Sequence, residues 1–300
     1  MKIKEIEIRM CRHEQASMKD SEMRDGKKSD LEFLVITFQT DEGLSASTFG
    51  FAGRGAAMAG EIANSIFKPF FLNKDPLYRE KHWHDYRMAD RWWNHAPIYS
   101  YGPFDINCWI LSSLQAGQPL YKYLGAYRDK VPIYGSSLVL KNPEAYADEA
   151  KEYKKKGFKA YKLHPPGQYD FDLEAHKHVR EAVGADFKLM SDPVAPYTFE
   201  QALRFGRELE KLNYYWYEEP LFDENFHNLR ELTRILDIPI IGTEVIAKHP
   251  YSVAECISTR VVDMVRADVS WSGGITATMK TAQLAESFGV QCEIHTAIYH

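Results

Sequence analysis

No stretch of this 300-residue sequence is apolar for the length of a membrane-spanning helix. The N-terminus, MKIKEIEIRM, alternates as a strand does and lacks the continuous apolar core of a secretory signal. Basic runs are scarce as well. With 37 Lys and Arg against 42 Asp and Glu the formal charge is -5, and the one basic cluster, Lys154 to Lys156 before Gly157, reads as the last turn of a helix with its glycine cap. Neither nucleic acid nor a membrane is therefore expected as a partner. The four cysteines, Cys11, Cys108, Cys256 and Cys292, fall at no metal or redox spacing. They read as small core residues, which fits a reducing, cytoplasmic setting. No glycine-rich fingerprint follows the first strand, so a dehydrogenase reading has no support.

What the chain does contain is a beat. Between residues 158 and 295 a short apolar run repeatedly ends in an acidic, basic or imidazole side chain, and a helical pattern follows. The runs end at Lys162 and His164, Asp192, Glu218, Glu244, Asp268 and His295, with spacings of 28, 26, 26, 24 and 27 residues counted from His164. One strand, one helix and two loops fill such a spacing, and βα units in series predict a parallel sheet closing into a barrel. Counting VPIYGSS from Val131 as the first strand gives seven, and the sequence supplied stops directly after the seventh. An open sheet would leave two unpaired edges, so a barrel lacking its C-terminal part is expected.

Ahead of the barrel, residues 1–11 and 31–40 read as strands of an antiparallel sheet, joined by a long polar segment. A helical pattern runs from Ala56 to Phe71, and another starts at Asp75-Pro76. His82 and His84, two apart on that second helix, do not face each other and are not read as a metal pair. Trp83, Tyr86, Trp92 and Trp93 read as core or subunit contact. The predicted division is residues 1–128 as an N-terminal α+β domain with barrel-entry helices and 129–300 as the barrel.

Asp192, Glu218 and Glu244 end three successive strands about 4.8 Å apart, close enough to share one small divalent ion. Without a cation three carboxylates in that space would repel, and a hard cation such as Mg²⁺ takes oxygen ligands. Lys162 and His164, i and i+2 on one strand, leave on the same face. Asp268 and His295 end neighbouring strands, where a carboxylate orients an imidazole and raises its basicity. A substrate carboxylate at the ion would have an acidified α-proton, with bases on two sides to move it.

As an ordered set, KLH, SDP, YWYEEP, GTE, RADVSWSGGI and EIH resemble the enolase superfamily, and within it the mandelate racemase-like subgroup. The resemblance covers the whole chain and implies a modified TIM barrel of the (β/α)7β type, an α/β fold, with an N-terminal capping domain. It implies that Asp192, Glu218 and Glu244 are the Mg²⁺ ligands, that Asp268 and His295 form the subgroup's dyad, and that Lys162 serves the substrate carboxylate. His164 stands where many members carry a second lysine, and GTE replaces the shorter GE form. The resemblance further implies that residues 13 to 30 and 49 to 55 reach over the barrel mouth, with His13, Lys19, Arg24 and Arg54 as candidates to meet substrate. A homo-oligomer is implied as well. The expected activity is dehydration of a small-molecule acid sugar to a 2-keto-3-deoxy acid. The alternatives are a racemase or epimerase of a 2-hydroxy acid and a non-catalytic sugar-acid binding protein.

Overall fold

Alternating apolar residues build the N-terminal sheet, in which strands β1 (Ile3–His13), β2 (Leu31–Thr40) and β3 (Ser45–Gly53) pair antiparallel in that order. The computed structural model describes residues 1–13, 31–53, 56–94, 96–246 and 249–295. A register shift between Ile3 and Glu5 lets Ile3 and Ile6, three residues apart, bury on the same side. On β2, Leu34, Ile36 and Phe38 face the same core. The third strand was not expected. Its segment SASTFGFAG is rich in serine and glycine, and it overlaps residues 49 to 55, for which the resemblance implies a place over the barrel mouth. Lys19, Arg24 and Arg54, and the side chain of His13, lie outside the described residues.

Helical segments pack on this sheet. Helix α1 (Ala56–Ile62) runs through a π-helical turn, Ala63–Phe67, into α2 (Lys68–Phe71). Helix α3 (Arg79–Ala89) begins later than Asp75-Pro76 suggested, because the Asp75 carboxylate accepts the Leu77 N–H in a local turn. His82 is buried and contacts the Asp75 carbonyl through Nε2 at 2.7 Å, whereas His84 is exposed beside Glu80. Trp83 and Tyr86 are core residues, while Trp92 is exposed. Helix α4 (Ile98–Gln115) is buried along most of its length, and the short α5 (Leu120–Tyr123) follows.

The repeats then appear in turn. They are β4 (Gly135–Ser136), α6 (Pro143–Lys155), β5 (Ala160–Leu163), α7 (Tyr169–Val183), β6 (Lys188–Ser191), α8 (Phe199–Lys211), β7 (Trp216–Glu218), α9 (Phe226–Ile235), β8 (Ile240–Gly242), α10 (Tyr251–Ser258), β9 (Met264–Asp268), α11 (Gly274–Ser287) and β10 (Gln291–His295). All seven strands are parallel and lie in chain order. The helix starts follow local chemistry. The Asn142 side chain accepts the Ala145 N–H ahead of α6, and Thr198 and Gln201 form a reciprocal capping box at α8.

This sheet is curled. Arg266 on β9 reaches the hydroxyl of Tyr134, just before β4, at 3.1 Å, although a flat sheet would set those strands about 24 Å apart. Met190, Trp216, Ile241 and Met264 meet Tyr134 and Ala160 inside the curl, while the larger apolar core fills the space between strands and outer helices. Among the described residues no helix is long and apolar enough to cross a membrane.

Helix α4 joins the two sheets. Asn107 donates to the Ile36 carbonyl of β2 at 2.9 Å. On its other side Asp105 accepts the backbone N–H and the hydroxyl of Thr276 in the first turn of α11. Gly102 permits this approach, since a Cβ there would lie 1.9 Å from the Ser270 carbonyl oxygen.

Candidate active site

Parallel strands followed by outer helices deliver their C-terminal residues to one rim. Lys162 lies on β5 with His164 one residue past its end, Asp192 follows β6, and Glu218 ends β7. Glu244 stands two residues past β8, Asp268 ends β9 and His295 ends β10. All seven expected side chains converge.

They form a chain of alternating basic and acidic groups. His164 Nε2 lies 2.9 Å from Asp192 Oδ2, and Lys162 Nζ bridges that oxygen at 2.8 Å to Glu218 Oε2 at 2.9 Å. Arg266 continues from Glu218 Oε1 at 2.7 Å to Glu244 Oε2 at 3.4 Å. His295 Nδ1 is 3.6 Å from Glu244 Oε1 and 2.7 Å from Asp268 Oδ2. Asp268 and His295 are direct register partners, which fixes this last contact through the sheet itself.

Arg266 is the member that sequence reasoning missed. It lies two residues before Asp268 in VDMVRAD, so both point to the same face of β9. A charged residue inside an otherwise apolar strand was the available signal, because burying a guanidinium requires nearby carboxylates. Tyr134 and Trp216 complete its surroundings, and the Trp216 indole also donates to Glu218 Oε2 at 3.2 Å.

Burial by itself would raise the pKa of Asp192, but Lys162 and His164 outweigh it and hold the carboxyl well below its ordinary value. Burial likewise opposes the charge on Lys162, yet Asp192 and Glu218 raise its pKa above that of a free lysine. Glu244 moves upward, first through burial and then through Glu218, with His295 and Arg266 opposing. Glu219, beside Glu218, is pushed well above the usual carboxylate range by burial and by Asp192, Asp223 and Glu244.

Thr243 explains the longer GTE turn. It adopts a left-handed backbone with φ of 80°, and its hydroxyl ties to the Arg266 peptide, donating to the carbonyl at 2.8 Å. Its own N–H is taken by Asp223 Oδ1 at 2.9 Å, and Gly242 leaves room for that oxygen, which a Cβ would meet at 2.8 Å. Glu244 is carried to the rim by this bracing.

The donor set suits a hard divalent cation. Three carboxylates come from adjacent strand ends, and Asp192 Oδ1 is buried with no hydrogen-bond partner. Among the described residues no group of three or more His, Cys, Asp or Glu side chains is gathered as a ligand set. Lys162 and Arg266 span the gaps between the acids instead.

Residues 145–300 match the family described as Enolase C-terminal domain-like. Arabinonate dehydratase of Saccharolobus solfataricus is 33% identical over 253 residues, 80% of this chain and 68% of that protein. An N-succinyl-L-Arg/Lys racemase of Bacillus cereus is 26% identical over 91% of this chain and 74% of its own. The crystal structure of D-glucarate dehydratase from Agrobacterium tumefaciens, complexed with magnesium, superposes with a TM-score of 0.87 at 32% identity, covering 98% of this chain and 80% of that one.

Proposed function

Because the chain belongs to the Enolase C-terminal domain-like family, we propose that it is a Mg²⁺-dependent dehydratase of a sugar acid. The supporting observation is that the three carboxylates Asp192, Glu218 and Glu244 are flanked by one histidine on each side, His164 at Asp192 and His295 at Glu244. Asp192, Glu218 and Glu244 would hold the ion, which supplies stabilisation for the charge that builds on the substrate carboxylate as its α-proton leaves. Residues 1–128 would serve as the cap and 129–300 as the catalytic barrel.

His295 is oriented for base chemistry. Asp268 engages its Nδ1 at 2.7 Å, leaving Nε2 for a substrate proton. His164 is engaged at both ring nitrogens, with Nδ1 2.6 Å from the Ser137 carbonyl and Nε2 2.9 Å from Asp192 Oδ2, so it serves as a base once the Asp192 contact is given up. Lys162, fixed as a cation, neutralises the substrate carboxylate. One histidine takes the proton from C2, and the C3 hydroxyl departs as water with a proton from a general acid on the rim. The resulting enol tautomerises to a 2-keto-3-deoxy acid, so one water is lost and no redox partner is required.

A second reading, 1,1-proton transfer by a racemase or epimerase, is favoured by the same two-histidine arrangement and by the racemase relative. The dehydratase reading ranks first because the more similar relatives, at 33% and 32% identity, are dehydratases. Incubating purified protein with Mg²⁺ and a panel of mono- and dicarboxylic sugar acids in D₂O separates the two. Ketone formation that EDTA abolishes supports dehydration. Deuterium at C2 without ketone moves the assignment to epimerisation, and neither signal across the panel counts against both.

A further inference from the structure

Arg266 is buried among the carboxylates proposed to hold the ion and contacts two of them. Its side chain is 1% exposed, and Nε lies 2.7 Å from Glu218 Oε1 and 3.4 Å from Glu244 Oε2. Yet Nε and that same Glu218 oxygen both lack a hydrogen-bond partner, so the pair is close but off the direction a hydrogen bond needs. Nη2 is directed to Glu218 Oε2 and the Tyr134 hydroxyl, each at 3.1 Å, so the guanidinium faces both oxygens of Glu218 and reaches Glu244 on the next strand as well.

We infer that Arg266 is a built-in competitor for the divalent ion: it holds Glu218 and Glu244 together in the metal-free protein and must yield those contacts when the ion binds. The inference rests on the Mg²⁺ reading of this site. Its physical basis is charge. Asp192, Glu218 and Glu244 carry three negative charges, and Lys162 and Arg266 return two of them. Without the cations the acids would repel each other in a buried space, so the metal-free fold needs them. With the ion present, the guanidinium becomes a like charge at short range and weakens its binding. Affinity is thereby exchanged for a site that stays assembled when empty.

The test uses titration calorimetry of metal-stripped protein with MgCl₂, together with thermal melts with and without Mg²⁺, on the wild type, Arg266→Gln and Arg266→Lys. Arg266→Gln should bind Mg²⁺ about tenfold tighter or more, melt lower without metal, and gain more from added Mg²⁺ than the wild type does. Arg266→Lys, which keeps the charge but not the reach across both glutamates, should fall between the two. Equal or weaker Mg²⁺ binding in Arg266→Gln overturns the inference, since a residue that merely positioned the ligands would behave that way. Should Arg266→Gln fail to fold, Arg266→Lys decides alone: tighter binding than wild type supports the competitor role, and equal or weaker binding overturns it. Mg²⁺ bound by the wild type with no gain in the variants removes only this role. No Mg²⁺ binding by any of the proteins removes the metal reading with it.

Discussion

Asp268 holds His295 with one oxygen and its own loop with the other. Oδ2 lies 2.7 Å from His295 Nδ1, while Oδ1 accepts the backbone N–H groups of Ser270 and Trp271, each at 2.7 Å. The Trp271 ring then lies against the imidazole, with centroids 5.2 Å apart. The carboxylate is fully buried, so a single side chain sets both the loop and the face of the histidine turned to the rim.

Asp268→Asn separates those two tasks. The amide oxygen can still accept from Ser270 and Trp271, but its NH₂ would meet His295 Nδ1 as a donor and force the ring into the other tautomer. Nε2 would then carry the proton and lose its capacity as a base. Exchange of the substrate α-proton with D₂O should fall by about 10²- to 10⁴-fold for the stereochemical series that uses His295, with folding intact by circular dichroism. An exchange rate within about threefold of wild type would show that His295 does not take the proton.

The strand ends were legible in the sequence because their chemistry is local. A carboxylate or imidazole that closes an apolar run must sit at a rim, and the regular spacing fixed the order of Asp192, Glu218, Glu244, Asp268 and His295. Helix starts at Asn142 and Thr198 were readable for the same reason. What could not be read depended on distant partners. Arg266 looks like an isolated charge in VDMVRAD until the sheet curls and brings Tyr134 beside it from across the barrel. Strand β3 was hidden by its glycines and serines, which have poor strand propensity and are held by pairing along β2. Asp105 reads as one acid in an apolar helix, and its partner Thr276 lies 171 residues later.

That buried pair gives a pH prediction. Burial pushes the Asp105 carboxyl from its ordinary 3.8 up to about 7, and the two hydrogen bonds from Thr276 only partly oppose it. Between those values the folded chain holds a proton that the unfolded chain has released. Its contribution to stability is therefore complete below about pH 4 and is lost as the pH rises through about 7. Asp105→Asn keeps an acceptor for Thr276 and removes the titration. Urea midpoints measured from pH 4 to pH 8 should show the wild type losing ground steadily to the variant; a constant difference would mean Asp105 stays ionised throughout.

Where α4 meets the loop after β9, backbone contact leaves no room for a methyl group. A Cβ on Gly102 would lie 1.9 Å from the Ser270 oxygen and 2.8 Å from its carbonyl carbon, and neither atom can swing aside as a side-chain tip could. Ser270 is itself tied by its N–H to Asp268, so relief would have to come from α4 moving off the barrel or from the Asp268 loop shifting. Gly102→Ala should destabilise the protein by about 3 kcal/mol or more. Gly60→Ala is the matched control, because its Cβ meets only the Leu34 side chain at 3.5 Å within helix α1, and alanine there should stabilise by up to about 1 kcal/mol. Urea denaturation of both variants checks the contrast. Equal stability changes would mean that α4 and the loop after β9 are not held at the distance that makes glycine necessary.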